Sequence, residues 1–214
     1  MKRLLLIILP VLAFACNRKD KKTSIPVEDS LVVKKDTLQP TKVQRETIDS
    51  NSLYAIATNI LTILKNKHYD SLVQYFHPDG IRFVPYTYID TGVDRMLLKD
   101  EFADLYRKKK KIDWNTDMSG ETSKPLTLDQ YFRRFVYDVD FLQAPLRSIN
   151  RHGNSGTDVN NIEEVFPRAN TVEYFFPGFK EEMGGMDFRG LNLVFRLYQS
   201  KPLLVAIIHN EWTP

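Results

Sequence analysis

The sequence predicts an α+β domain in which N-terminal helices pack on a curved, antiparallel β-sheet. Apolar residues recur at helical spacing in the first part of the folded region, whereas the final third reads as a series of strands. Helices followed by hairpin-connected strands are typical of α+β proteins, since α/β proteins alternate the two elements. The chain has no internal repeat at a period of about 20 to 50 residues, which argues against a solenoid.

The helical pattern begins with Leu53, Ile56, Ile60, Ile63 and Leu64, and Asp49 or Ser50 is placed to cap this first helix. A capping box at 127–130, Thr-Leu-Asp-Gln, opens a later helix. The other helical segments are expected after Asp70, over 99–109 and over 162–166.

The strand pattern appears at 81–89 and then three times near the end of the chain, over 171–176, 191–198 and 202–212. The last two strands are expected to be antiparallel and joined by a tight turn near 199–201. Pro85 cannot donate a ladder hydrogen bond, so the strand that contains it is expected at a sheet edge or at a bulge.

Bulk properties exclude several classes of function. The formal net charge is only +3, and acidic and basic residues are interleaved, which argues against an extended nucleic-acid surface. The chain has one cysteine, so it has neither an internal disulfide nor a cysteine-based zinc site. The basic run at 107–111 is interpreted as a solvated helix end that complements the helix dipole, with phosphate binding as the alternative.

The N-terminus, MKRLLLIILPVLAFAC, has the organisation of a secretory signal. Lys2 and Arg3 precede an apolar run that is too short to span a bilayer, and a small-residue cleavage site ends at Ala15. Cys16 follows directly, and this arrangement resembles the lipobox of bacterial lipoproteins, in which such a cysteine is acylated. Where that family prefers leucine, this chain has Ala13. Ordinary cleavage that leaves a free thiol is the alternative.

The segment from 16 to 48 is expected to be a lipidated N-terminus followed by a flexible tether. It is rich in charge and lacks aromatic residues, so it cannot bury enough apolar surface to offset the entropy of ordering. The predicted organisation is therefore a signal peptide over 1–15, the tether over 16–48 and a single α+β domain over 49–214.

Several motifs of this domain resemble a known superfamily. Two helices, the turn His77-Pro78-Asp79-Gly80 into a strand, and a terminal antiparallel meander are similar to NTF2-like (cystatin-like α+β) proteins, whose curved sheet wraps a helix and leaves a conical pocket. The end of the chain also resembles uncharacterised lipoproteins of the Bacteroidetes type. The segments that carry this second resemblance are 137–145, 172–178, 184–189, 193–195 and 207–213. The resemblance implies a fold and a location but no chemistry.

The last strand carries the best candidate residues for a site. With strand period two, His209 and Glu211 share one face, about 6.5–7 Å apart along the strand, together with Val205 and Ile207. A histidine beside a carboxylate is a candidate acid or base, although the alternative is structural, with His209 bonded to a backbone carbonyl and Glu211 paired with a neighbouring strand. In the conical pocket that the resemblance implies, the residues expected to join them are Tyr86, Tyr88, Glu173 and Arg196, and Arg196 is also the structural partner considered for Glu211.

Other chemistry finds little support. Asp138 and Asp140 would share a face of a strand, but loop solvation or a helix-end contact is the favoured interpretation. The histidines lack the spacing of a zinc motif, and no nucleophile motif is present, so we expect no metal and no cofactor.

These features predict a bacterial cell-envelope lipoprotein, anchored to a membrane through Cys16 and facing the periplasm or the cell surface. Its domain is expected to bind a small ligand or an envelope partner through an NTF2-like pocket without catalysis. One alternative is a pocket acid/base enzyme of the isomerase, dehydratase or hydrolase type that uses His209 and Glu211. The other is an interaction module in which exposed Tyr86, Tyr88 and Trp114 contact glycan or protein.

Overall fold

A computed structural model describes residues 47–117, 123–151 and 160–213, which form an α+β domain. The predicted signal peptide, Cys16 and nearly all of the tether lie outside these residues. All described residues belong to one compact unit. None of the helices in these three ranges is long and apolar enough to cross a membrane.

The helices agree with the periodicity of the sequence. The first helix is capped by Asp49, whose side chain accepts a hydrogen bond from the backbone N–H of Ser52. The segment after Asp70 is a 3₁₀-helix, Tyr69–Tyr75, and a second 3₁₀-helix spans Phe141–Gln143. A short 3₁₀ turn, Glu181–Met183, lies in the connection from Phe176 to Arg189. The α-helices of the described residues are α1 Ser50–Lys65, α2 Lys99–Lys108, α3 Leu128–Phe135 and α4 Ile162–Val165.

The strands of the described residues are β1 Ile81–Val84, β2 Arg95–Leu97, β3 Leu146–Ile149, β4 Asn170–Phe176, β5 Arg189–Tyr198 and β6 Lys201–Glu211. They form one sheet in the order β2-β1-β6-β5-β4-β3. All neighbours are antiparallel except β1 and β6, which run parallel. The prediction of an antiparallel sheet is therefore wrong at this pair, and β2 and β3 were not predicted.

Pro85 marks the end of β1. The strand stops at Val84 and lies between β2 and β6, so the prediction of an edge strand extending to 89 is wrong. Because proline has no N–H to donate, the ladder ends where this residue begins.

The main core lies between the helices and one face of the sheet. Helix α1 buries an apolar stripe at helical spacing, from Leu53 through Leu64. Trp114, which we expected to be exposed, is buried here, where its indole stacks on Tyr131 at 4.1 Å and donates to the Leu126 carbonyl at 3.0 Å. The largest fully buried side chains of this core are Tyr69, Phe76, Phe83, Phe102, Trp114, Tyr131, Phe132, Phe141 and Phe195.

The second face of the sheet carries a smaller apolar cluster, which α4 covers through Ile162. Its remaining buried members are Val84, Ile89, Ala169, Val194, Val205, Ala206 and Ile208. Since the centre of the sheet is covered on both faces, β6 is apolar over most of its length.

A β-bulge at Val205 changes the faces of β6. Phe195 lies opposite Leu204 and Val194 lies opposite Ala206, so Val205 is the extra residue. Leu204 and Ile207 therefore both lie in the main core, whereas Val205 belongs to the second cluster. The prediction that Val205 shares a face with Ile207 is wrong, because strand period two does not continue through a bulge.

Candidate functional site

His209 is completely buried on β6, with none of its surface exposed. Its Nδ1 lies 3.3 Å from the backbone oxygen of Pro85, as the structural interpretation of this residue predicted. A carbonyl oxygen only accepts hydrogen bonds, so this contact is attractive when Nδ1 carries the proton. The other ring nitrogen, Nε2, lies 3.1 Å from Oδ1 of Asp138. Despite this short distance, neither Nε2 nor Oδ1 has a well-aligned hydrogen-bond partner.

Asp138 lies in the short segment between α3 and the 3₁₀-helix Phe141–Gln143, and 13% of its side chain is exposed. Its outer oxygen, Oδ2, accepts a 2.7 Å hydrogen bond from Nε of Arg189. Burial acts to raise the pKa of Asp138, but His209 and Arg189 together outweigh it and hold that pKa below its usual value. Asp138 is therefore a carboxylate at neutral pH.

Glu211 lies at the end of β6, directly opposite Arg189 on β5. Its Oε1 accepts a 2.6 Å hydrogen bond from Nη2 of Arg134, and its Oε2 lies 3.4 Å from Nη2 of Arg189. Arg134 comes from the last turn of α3. Helix α3, the segment after it and the two last strands thus bring together five side chains, which we call the charged cluster: Arg134, Asp138, Arg189, His209 and Glu211.

A surface depression of about 360 Å³ opens onto this cluster. We call it the arginine depression, and it is lined by Arg134, Asp138, Val139, Phe179 and Arg189. His209 and Glu211 do not line it. They lie behind Asp138 and the two arginines: His209 contacts Asp138, and Glu211 pairs with both arginines.

Arg134 is the most accessible cation of the depression, with 52% of its side chain exposed. Its hydrogen bond to Glu211 raises the pKa of the guanidinium further, and its Cζ lies 4.6 Å from the centre of the Phe135 ring. Among the residues that the structure describes, Glu211 is its only hydrogen-bond partner. Most of its N–H donors are therefore left to face solvent or a ligand.

Arg189 is more constrained than Arg134. Its Nε donates to Asp138, and its Nη1 donates to the backbone oxygen of Phe188 at 2.7 Å. Its Nη2 pairs with Glu211, so the Arg189 side chain bridges the carboxylates of Asp138 and Glu211. Its role in the cluster is to hold these two carboxylates in place.

The residues predicted from the sequence do not form one pocket. His209 and Glu211 point to the same face of the sheet, as predicted. Burial raises the pKa of Tyr86, and the nearby charge of Glu211 raises it further. The Tyr86 hydroxyl donates to the Thr116 carbonyl at 2.9 Å. Tyr88 is 61% exposed.

Glu173 and Arg196 lie on the opposite face of the sheet. Glu173 alternates with core residues on β4 and accepts a 3.1 Å hydrogen bond from Ser148. Arg196 lies over the Phe166 ring at 5.4 Å and is opposite Leu203 in register. The predicted pairing of Glu211 with Arg196 is therefore wrong, because Glu211 pairs with Arg134 and Arg189.

Sequence reasoning did not group Asp138 with His209. Residues 137–140 do not form a strand, so Asp138 and Asp140 do not share a face as considered. Asp140 instead accepts hydrogen bonds from Lys65 Nζ and Tyr137 Oη, both at 2.7 Å. No local spacing connects Asp138 with the last strand, and only the tertiary fold brings them together.

Comparison of the chain with known protein families, with curated proteins and with solved structures found no match. The chemistry of the site therefore follows from its geometry alone. The charged cluster offers an exposed guanidinium for anions. One ligand atom from each of Asp138, His209 and Glu211 lies within 4.8 Å of the other two, an arrangement that could hold a metal ion.

Proposed function

We propose that the chain is a lipoprotein of the bacterial cell envelope, anchored through Cys16, whose domain binds a small anionic ligand without catalysis. The signal-like N-terminus followed by Cys16 supports the anchor. The exposed guanidinium of Arg134 in the arginine depression supports the ligand class, and it is the observation that carries the proposal.

The ligand is a carboxylate or phosphate with an apolar part. Glu211 fixes one edge of the Arg134 guanidinium, so the planar fork faces the depression with little freedom to lose on binding. Phe179, half of which is exposed, and Val139 provide the apolar wall. A volume of about 360 Å³ suits a small metabolite.

The fold that we propose is NTF2-like. The position of α1 before all strands of the described residues, its packing on the sheet and the antiparallel meander of β4, β5 and β6 support this assignment. In the described residues the main core lies between the helices and the sheet, which supports the arginine depression at the surface as the ligand site.

The two alternatives have less support. An acid/base role for His209 requires contact with a substrate, yet this residue is fully buried, and both oxygens of Glu211 face arginines. For an aromatic interaction surface, Trp114 is buried and Tyr86 is partly buried, so Tyr88 is the one exposed residue of the three expected aromatics.

The test is a thermal-shift screen of the EDTA-treated full chain against short aliphatic and aromatic carboxylates and phosphate monoesters, followed by calorimetry of the compounds that bind. Arg134→Gln removes the charge, and we expect it to weaken binding at least about tenfold, the loss expected for a charge-assisted hydrogen bond. Arg133→Gln is the matched control, because Arg133 is the adjacent residue and pairs with Asp129 instead. Equal affinity of the Arg134 variant and wild type, or no anion that binds, would contradict the proposal.

A further inference from the structure

We propose that the charged cluster also holds one divalent transition-metal ion, of the Zn²⁺ class, between His209 Nε2, Asp138 Oδ1 and the Glu211 carboxylate. This site is distinct from the anion contact at Arg134, and the proposal does not depend on that contact.

The first argument is an electrostatic conflict at His209. The Pro85 carbonyl, 3.3 Å from Nδ1, favours a ring proton on that nitrogen, and a neutral ring in this tautomer has a lone pair at Nε2. That lone pair faces a carboxylate oxygen, Asp138 Oδ1, at 3.1 Å. Both atoms are buried and lack an aligned hydrogen-bond partner, so the repulsion is not screened by water. A cation between the two atoms, either a second ring proton or a metal ion that accepts both lone pairs, removes the conflict.

The second argument is distance. Nitrogen and oxygen ligands lie about 2.0–2.2 Å from Zn²⁺, so two atoms on one ion are separated by about 3–3.5 Å. The 3.1 Å between His209 and Asp138 meets this requirement without any movement. The Glu211 ligand atom lies within 4.8 Å of both, so it needs to move by at most about 1.5 Å to reach the same ion.

The third argument is the second shell of the histidine. A metal-bound imidazole usually donates its other N–H to a carbonyl or carboxylate, which fixes the tautomer and the ring plane. The Pro85 carbonyl occupies this position at His209. An imidazole with carboxylates favours Zn²⁺ or Co²⁺ over Mg²⁺ or Ca²⁺, which prefer oxygen ligands alone.

The arginines are compatible with the ion. Arg189 Nε bonds the outer oxygen Oδ2 of Asp138 and leaves Oδ1 free, and each Glu211 oxygen has a second lone pair beyond its arginine contact. Two arginines and two carboxylates cancel in charge, so the ion adds two positive charges. Three protein ligands leave a fourth position, where a hydroxide or another small anion offsets part of this charge.

The experiment uses the full chain in detergent with Cys16→Ala, so that the lone thiol does not bind metal. The EDTA-treated protein is titrated with Co²⁺ and followed by visible absorption, and Zn²⁺ is then added as competitor. We expect one Co²⁺ per chain, displaced by Zn²⁺. Asp138→Asn, nearly isosteric with wild type, should weaken Co²⁺ binding at least about tenfold. Asp140→Asn, two residues away and bonded to Lys65, should bind like wild type.

Circular dichroism of each variant shows whether it is folded. The proposal is overturned if folded wild-type protein binds no Co²⁺ at one equivalent, or if Asp138→Asn binds as tightly as Asp140→Asn. If the folded wild-type protein binds no Co²⁺, nitrogen NMR of His209 should show protons on both ring nitrogens, because a second ring proton also removes the repulsion between Nε2 and Asp138 Oδ1. The anion screen on EDTA-treated protein contains no metal, so a failure of one proposal is distinguishable from a failure of the other.

Discussion

Asp94 is a partly buried carboxyl group outside the charged cluster, in the connection between β1 and β2. Its Oδ2 accepts a 2.7 Å hydrogen bond from the Asp90 N–H. Burial outweighs this bond and the charge of Arg82 and raises the pKa of Asp94 from 3.8 to about 6. Because the folded state holds this proton more tightly than the unfolded state, ionisation of Asp94 destabilises the fold. The destabilisation develops as the pH rises from about 4 to above 6.

We therefore expect Asp94→Asn to increase the free energy of unfolding at pH 7.5 by about 1 kcal/mol, a value reduced from the full shift because the group is partly exposed. The gain should shrink towards zero at pH 4, where wild-type Asp94 is protonated in the fold. Urea denaturation at both pH values measures this difference. Asp79→Asn, at an exposed turn position, is the control. A gain that is equal at the two pH values would contradict this account.

His209 shows how far a single residue could be predicted. Its position where an apolar strand becomes polar indicated a contact with a backbone carbonyl, and the Pro85 oxygen confirms it. The sequence pattern could not identify its second partner, Asp138, because periodicity describes neighbours along one element only. The half of the site that belongs to β6 was therefore predictable, and the half supplied by α3 and the segment after it was not.

At the scale of elements, the bulge at Val205 determines which residue faces Glu211. Gln199 and Ser200, both with positive φ, form the two-residue turn between β5 and β6, and this turn sets the register at Tyr198 and Lys201. Continued without interruption, that register would place Glu211 opposite Phe188. The extra residue moves Glu211 opposite Arg189 and creates the ion pair. Nothing in the apolar run of β6 identifies a bulge, so this pair could not be predicted.

Helix α3 positions Arg134, and its N-terminus is closed by the predicted capping box. Thr127 Oγ1 accepts from Gln130 N at 3.3 Å, and Gln130 Oε1 accepts from Thr127 N at 3.0 Å. Thr127→Ala should lower the free energy of unfolding by about 1 kcal/mol, because the helix start loses its capping oxygen. The urea midpoint should fall by about 0.5 M.

Thr127→Ser is the matched variant for this test, since serine keeps the capping oxygen. It should retain most of the wild-type midpoint. If the serine variant loses as much stability as the alanine variant, the packing of the threonine methyl group, and not the cap, is what stabilises α3.

At the scale of the whole molecule, the α+β class could be predicted because each helix or strand is indicated by the periodicity of its own residues. The sheet order could not. The pairing of β1 with β6 joins two strands from the opposite ends of the domain, and Arg82 lies opposite Ala206 in this parallel pair. A parallel neighbour at the centre requires both faces to be covered, which α4 and the second apolar cluster provide on the face away from the main core.

The proposed location of the molecule depends on Cys16, and it leads to the last prediction. Acyl chains contribute about 0.8 kcal/mol per buried methylene, so a multiply acylated cysteine anchors a protein stably without a membrane-spanning helix.

Wild-type chain expressed in a bacterial host with labelled palmitate should take up the label and partition into the detergent phase. Cys16→Ala removes the only thiol and should abolish both. Ala13→Leu, which brings the cleavage site closer to the lipobox pattern, should label at least as well as wild type. Labelled Cys16→Ala protein, or unlabelled wild type, would instead assign the N-terminus to ordinary secretion and make the arginine depression the site of a freely diffusing binding protein.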